Sequence, residues 1–259
     1  MNSPASDRSA SRVAVIGLGS MGMGIAGSLL RAGLDAVGFD LSADAMARFV
    51  AQGGRAAASA ADAAAGADIV MSVVVSGAQT EAMLFGPGGI ADAMQAGAVF
   101  VSSATMDPAL ARSLAARLEA MSVLYLDAPI SGGAARAAAG SLTVMASGSA
   151  QAFARARPAL DAMAAKVHEL GDAAGVGASF KMINQLLAGI HIAAASEAIA
   201  LASKLGLDLG KVYEVITASA GNSWMFENRI PHVLAGDYAP RSAVEIFVKD
   251  LGIVQDMAR

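Results

Sequence analysis

The sequence contains no cysteine. That excludes disulfides, thiolate nucleophiles and cysteine-ligated metals together. Histidine is scarce: His168, His191 and His232 are the only three. None stands at metal-ligand spacing with carboxylates, so no metal site is expected. Charged residues make up only 15%, and 18 basic against 22 acidic side chains leave a formal net charge of −4. No basic face for nucleic acid is evident. Long uninterrupted apolar runs are missing too. The stretch from Leu186 to Ala202 is broken by His191, Ser196 and Glu197, whereas a spanning helix takes about 20 apolar residues without charge. The opening MNSPASDRSASR lacks the apolar segment of a signal peptide and reads as a disordered tail over residues 1–11. These absences point to a cytoplasmic protein whose partner is a small molecule, with neither nucleic acid nor membrane as a partner.

What is abundant is small and apolar. Hydrophobic residues reach 55% and glycine alone supplies 28 of 259 positions, which excludes intrinsic disorder. Strand and helix patterns alternate from Arg12 onward. Strands are expected at 12–16, 36–39, 69–75, 98–102, 123–126 and 142–146, with helices after Gly22, at 43–52 and at 108–120. Such alternation implies a doubly wound, mainly parallel Rossmann-like sheet with helices on both faces. Alanine runs near 56–65 and 134–139 are read as packing and loop segments. After about residue 172 the strand signal stops. A long helix over about 174–204, helices at 209–220 and 242–257, and a loop holding Asn222 to Pro231 are expected. The resulting division is an α/β dinucleotide-binding domain at 12–172 followed by an all-helical domain at 173–259.

Three segments carry chemistry. The first is Gly17-Leu18-Gly19-Ser20-Met21-Gly22 at the end of the first strand. Gly17 permits a tight turn, Gly19 leaves room for a pyrophosphate, and Gly22 lets helix and strand pack closely. The helix N-terminus that follows favours phosphate charge. Asp40, 18 residues past Gly22, ends the second strand. An acid there accepts from a ribose 2′-hydroxyl and repels a 2′-phosphate, which favours NAD over NADP. The second segment is Asp127-Ala-Pro-Ile-Ser131-Gly132-Gly133, a strand-end turn able to offer N–H groups and a hydroxyl to a carboxylate. The third is Lys181-x-x-Asn184-Gln185 on one side of the long helix. Its apolar flanks would desolvate the lysine and lower its pKa toward neutrality.

Taken together these segments resemble the β-hydroxyacid dehydrogenase family, which includes 3-hydroxyisobutyrate dehydrogenase and tartronate semialdehyde reductase. The stretches that carry the resemblance are GLGSMGMGIAGSLL at 17–30, DAPISGGAARAAAGSLTVMASG at 127–148 and GVGASFKMINQLLAG at 175–189. Segments 216–238 and 242–252 look most like the branch that acts on L-threonate. The resemblance implies a role for each matching position. Lys181 matches a catalytic lysine that takes the hydroxyl proton in oxidation and returns it in reduction. Ser131, Gly132 and Gly133 match a turn for the substrate carboxylate, and Asn184 a substrate-positioning amide. Thr105 matches a threonine near nicotinamide and substrate, and Lys249 a lysine that contacts the cofactor. The implied reaction is NAD-dependent oxidation of a small hydroxy or sugar acid, L-threonate to 2-dehydro-L-erythronate, in a homo-oligomer joined through the helical domain.

Two positions depart from the family pattern. Ala104 stands before Thr105 where the family has serine, and the chain stops at Arg259, inside an implied C-terminal helix, so a shortened form is expected. Alternative activities are 3-hydroxyisobutyrate oxidation and tartronate semialdehyde reduction. An alternative of another class is a non-catalytic dinucleotide-binding module. Trp224, the single tryptophan, reads as a core anchor of the helical domain, with a lid over the substrate as the competing role. Met21 and Met23 read as helix packing, and His191 as packing or a group behind the site.

Overall fold

A computed structural model describes residues 11–239 and 244–259. The expected N-terminal tail, apart from Ser11, and the first two residues of the segment at 242–252 lie outside them. Contacts divide the chain into two compact units, 1–181 and 182–259.

In the first unit, β1 (Arg12–Ile16), β2 (Asp35–Phe39), β3 (Arg55–Ala56), β4 (Ile69–Ser72), β5 (Val99–Ser102) and β6 (Leu124–Asp127) form one parallel sheet in the order β3-β2-β1-β4-β5-β6. The order reverses direction between β1 and β4, the crevice where ligands of doubly wound sheets bind. Side chains alternate along each strand. Val13 and Val15 enter one buried cluster with Ile25, Leu29 and Phe49, while Ala14 and Ile16 enter another with Leu84, Leu114 and Leu118. Both faces are therefore covered, and the strands read as continuous apolar runs instead of alternating ones.

The helices of this unit are α1 (Ser20–Arg31), α2 (Ala43–Ala51), α3 (Ala60–Ala64), α4 (Gly77–Phe85), α5 (Pro108–Glu119), α6 (Gly133–Ala138) and α7 (Ala150–Met163). Serine caps open α2, α3, α4 and α7, and Asp107 caps α5 with Pro108 at its first position. A second, three-stranded sheet contains β7 (Ile130–Ser131), β8 (Leu142–Ala146) and β9 (Ala164–Glu169). A bridge between Asp127 and Ser147 joins the end of β6 to the residue after β8.

The expected fold class holds, with local corrections. The strand expected at 69–75 ends at Ser72. β3, β7 and β9 carry no strand signal in the sequence: two are only two residues long, and β9 follows α7 with no turn residue between them. The alanine runs hold α3 and α6, because alanine is the best helix former once a serine or glycine starts the turn.

The second unit holds most of α8 (Val176–Lys204), then α9 (Leu209–Thr217), α10 (Trp224–Leu234) and α11 (Glu245–Met257). By length and composition α8 could cross a membrane; its residues 188, 195, 199 and 202 are buried and its first turn belongs to the first unit. The expected loop at 222–231 is helix α10. Ser223 caps the Phe226 N–H, and Pro231 lies inside the helix. Proline there removes the N–H that would bond the Glu227 carbonyl, and the Tyr213 hydroxyl donates to that carbonyl instead, at 3.3 Å. The anchors of this unit are Phe226 and Ile230, packed on Ala195 and Ile199. Trp224 is half exposed, so the expected core-anchor role falls to Phe226.

Candidate active site

The glycine turn leaves β1 at the reversal point. Gly17 has φ +96°, and a Cβ there would lie 2.6 Å from the Val73 carbonyl oxygen. A Cβ on Gly22 would lie 1.8 Å from the Gly17 carbonyl oxygen. The protein's own backbone thus demands both glycines. Gly19 is different. Its φ of −63° and ψ of −169° suit any residue, and no atom lies within 4 Å of where its Cβ would stand. Nothing internal requires glycine there. A side chain would reach over the N-terminus of α1, which has no side-chain cap. Gly19 and Ser20 are exposed, while Met21 and Met23 pack partly against the core. This cradle fits the pyrophosphate of a dinucleotide.

Asp40 stands beside the turn. Its Oδ2 accepts from the Leu18 N–H at 2.7 Å and its Oδ1 from the Ser42 N–H at 2.8 Å. The end of β2 and the glycine loop are thereby tied together, since the Gly17 N–H also donates to the Phe39 carbonyl at 2.9 Å. Each Asp40 oxygen keeps a lone pair for a ribose hydroxyl. The Leu18 contact is invisible in sequence, which gives the acid only its ligand role.

Three neighbouring strands end in register on polar residues: Ser72 beside Ser102, and Ser102 beside Asp127. All three are buried. Thr105 follows β5 and is partly buried, while Ala104 packs in the core. Beyond β6, Ser131 ends β7, and Gly132 and Gly133 have φ of +135° and +76°. Two successive left-handed residues explain why this turn is Gly-Gly.

Lys181 is buried, and its Nζ donates to the Ile130 carbonyl at 2.8 Å. The lysine therefore touches the residue immediately before Ser131. The sequence reading had no role for Asp127 beyond ending a strand. It is 1% exposed, and its Oδ2 accepts from the N–H groups of Gly175 and Ala178 at the start of α8. Burial pushes its carboxyl up to about 6, against the downward pull of those donors and of the Ser147 hydroxyl. Burial, and after it the same carboxylate, raise Tyr125 above its ordinary value.

In the second unit Asn184 and Lys249 are joined through two residues. Asn184 Nδ2 donates to Gln185 Oε1 at 2.9 Å, and Gln185 Nε2 donates to Asp250 Oδ2 at 2.5 Å. Lys249 Nζ lies 2.7 Å from Asp250 Oδ1, and Asp250 is wholly buried. A carboxylate only accepts, so it turns the Gln185 amide, and through it the Asn184 amide. No spacing rule connects Asp250 with Gln185 across 65 residues. Among the described residues no group of three or more histidine or carboxylate side chains could hold a metal.

Comparison with known proteins identifies the family. Residues 12–171 match the family described as the NAD binding domain of 6-phosphogluconate dehydrogenase. Residues 175–259 match the NAD-binding domain of NADP-dependent 3-hydroxyisobutyrate dehydrogenase. L-threonate dehydrogenase of Cupriavidus necator is 55% identical over 247 residues, covering 95% of this chain and 83% of that protein. Its counterpart in Haemophilus influenzae is 53% identical over 248 residues, covering 95% and 82%. The crystal structure of a 3-hydroxyisobutyrate dehydrogenase from Salmonella typhimurium superposes with a TM-score of 0.90 at 52% identity, over 96% of this chain and 87% of that one.

Proposed function

Because the chain belongs to the β-hydroxyacid dehydrogenase family, of the 3-hydroxyisobutyrate dehydrogenase type, we propose that this oxidoreductase converts L-threonate to 2-dehydro-L-erythronate with NAD. The two similar proteins that bear the name L-threonate dehydrogenase support the substrate. The observation that carries the chemistry is the buried Lys181 amine on the Ile130 carbonyl, one residue before the Ser131 turn. The proton-accepting group rests on the backbone that leads into the turn for the carboxylate, which suits an acid whose reacting hydroxyl stands near its carboxylate.

Bound NAD supplies the two-electron acceptor. Lys181 takes the hydroxyl proton in oxidation and returns it in reduction. One of its hydrogens is committed to the Ile130 carbonyl, so the lone pair of the neutral amine points elsewhere. Ser131, Gly132 and Gly133 hold the carboxylate, and Asn184 orients the hydroxyl. Gly17 through Gly22 cradle the pyrophosphate, with Thr105 and Lys249 as further contacts. Asp40 favours NAD by repelling a 2′-phosphate. The same reading has a cytoplasmic homo-oligomer without nucleic-acid or membrane partners. Exposed Leu201, Leu205 and Val215 of the helical unit are candidates for the self-contact.

The second reading, 3-hydroxyisobutyrate oxidation, is favoured by the name of the 52% identical Salmonella protein. Reduction of NAD⁺ or NADP⁺ by L-threonate, 3-hydroxyisobutyrate and glycerate separates these readings. L-threonate with NAD⁺ is expected to turn over fastest. The Lys181→Ala variant is expected to lose about 10²–10⁴-fold in kcat. A faster rate with another acid overturns the substrate, full activity in Lys181→Ala overturns the role of the lysine, and NAD⁺ binding with no turnover of any acid turns the reading to a binding module.

A further inference from the structure

Asp127 has no place in the chemistry above, yet it is almost fully buried and its contacts are specific. Its Oδ2 accepts from the Gly175 N–H at 2.9 Å, the Ala178 N–H at 2.8 Å and the Ser147 hydroxyl at 3.5 Å. Ser147 Oγ accepts in turn from the Gly177 N–H at 2.9 Å. The first turn of any helix leaves such N–H groups without intrahelical partners. Here Asp127, at the end of β6, and Ser147, just past β8, answer three of them. The chain is also pressed close at this point: a Cβ on Gly177 would lie 2.4 Å from the Met145 carbonyl oxygen.

The same short segment reaches α8 a second time. Three residues beyond Asp127, the Ile130 carbonyl accepts from Lys181. Residues 127–130 therefore hold α8 at its first turn through a carboxylate, and about one turn later through the lysine. Both contacts bear on where the lysine's amine stands relative to the Ser131 turn.

We propose that Asp127, backed by Ser147, is the positioning residue for Lys181: it fixes the seat and rotation of the first turn of α8, and so the place of the amine against the Ser131 turn. This rests on the acid/base reading of Lys181. Placement matters steeply, since a misplacement of about 1 Å can lower a rate by about 10²-fold.

The test uses the full chain with Asp127→Asn, Ser147→Ala and Lys181→Ala. It measures kcat per NAD⁺-binding site, KM for the acid that turns over fastest, and the dissociation constant of NAD⁺. Asp127→Asn keeps the shape and an acceptor oxygen but removes the charge that strengthens its hold on the α8 N–H groups. Its kcat per site is expected to fall about 10- to 100-fold, with KM and NAD⁺ affinity within about threefold, the pattern of a lost transition-state interaction. Ser147→Ala is expected to move kcat the same way by less, and it decides the question alone if Asp127→Asn does not fold. A merely structural role lowers the number of binding sites and leaves kcat per site unchanged, which overturns the proposal. Full turnover in Lys181→Ala removes the reading on which it rests. Loss of turnover there, with wild-type kcat per site in Asp127→Asn and Ser147→Ala, overturns the positioning role alone.

Discussion

Two helices that start within the first unit begin in opposite ways. α1 opens on Gly19, with no side-chain cap and open space above its N-terminus. α8 opens against the buried carboxylate of Asp127, which takes up the N–H groups at its start. Both termini offer the same field and the same unpartnered donors to a negative charge. One is left for a charge that arrives with a ligand, and the other is filled by the protein itself. The helix proposed to hold a phosphate, α1, has no side-chain cap, a feature it shares with α6 and α11. The helix that carries Lys181 is the one whose start is held by a side chain only 1% exposed. Serine caps on α2, α3, α4 and α7 are the ordinary case between these extremes.

The comparison breaks most violently at Gly22. Its Cβ would meet the Gly17 carbonyl oxygen at 1.8 Å, and backbone cannot yield as a flexible side chain does. Gly22→Ala is expected to lower stability by more than about 4 kcal/mol, among the largest single-residue effects. The check is denaturant unfolding of the variant without ligand. A variant as stable as the parent would mean that α1 can move off β1.

Gly19→Asp is the sharper variant, because it turns the open terminus into a self-capped one like that of α8. Aspartate is a good N-cap, so the ligand-free protein is expected to gain about 0.5–1 kcal/mol. A carboxylate facing the pyrophosphate costs several kcal/mol of binding, so NAD⁺ affinity is expected to fall about 100-fold or more. Thermal unfolding and a calorimetric titration read the two effects separately. Unchanged NAD⁺ affinity would place the pyrophosphate elsewhere and undo the contrast between the helices.

How much of this was legible in the sequence follows from the range of each interaction. The glycine turn could be read because strand, turn and helix lie within one βαβ unit, where local pattern is strong. The turn at Gly132 and Gly133 could be read as a turn because both need left-handed backbone and have adjacent places in the chain. β3 and β7 could not, since two residues carry no periodicity. The loop expected at 222–231 failed because Pro231 signals a break, while the tyrosine that repairs the broken ladder lies on another helix. The cap of α8 stayed hidden for the same reason. Asp127 and its N–H donors are 48 and 51 residues apart, and no pattern of residue types links a strand-end acid to a glycine-rich helix start so far away.

A pH series tests whether the filled terminus is comfortable. Burial raises the Asp127 carboxyl to about 6, whereas an unfolded aspartate titrates near 3.9. Below about pH 4 the group is protonated in both states and adds no charge burden. Between about pH 4 and 6 the folded state binds the proton and the unfolded state does not, so stability falls as pH rises. Above about pH 6 the full burden of roughly 2–3 kcal/mol is present. Asp127→Asn does not titrate, so the stability difference between parent and variant isolates this group: the parent is expected to lose ground to the variant from about pH 4 to 6 and to change little outside that window. Urea unfolding of both proteins from pH 4 to 7.5 measures it. If the parent gains ground as pH rises, the helix N–H groups outweigh burial, the carboxyl sits below its ordinary value, and the filled terminus is as favourable as a phosphate on the open one. If it loses ground, the ionised carboxylate is kept at neutral pH against its own stability cost, which is what a residue retained for the place of Lys181 rather than for stability would show.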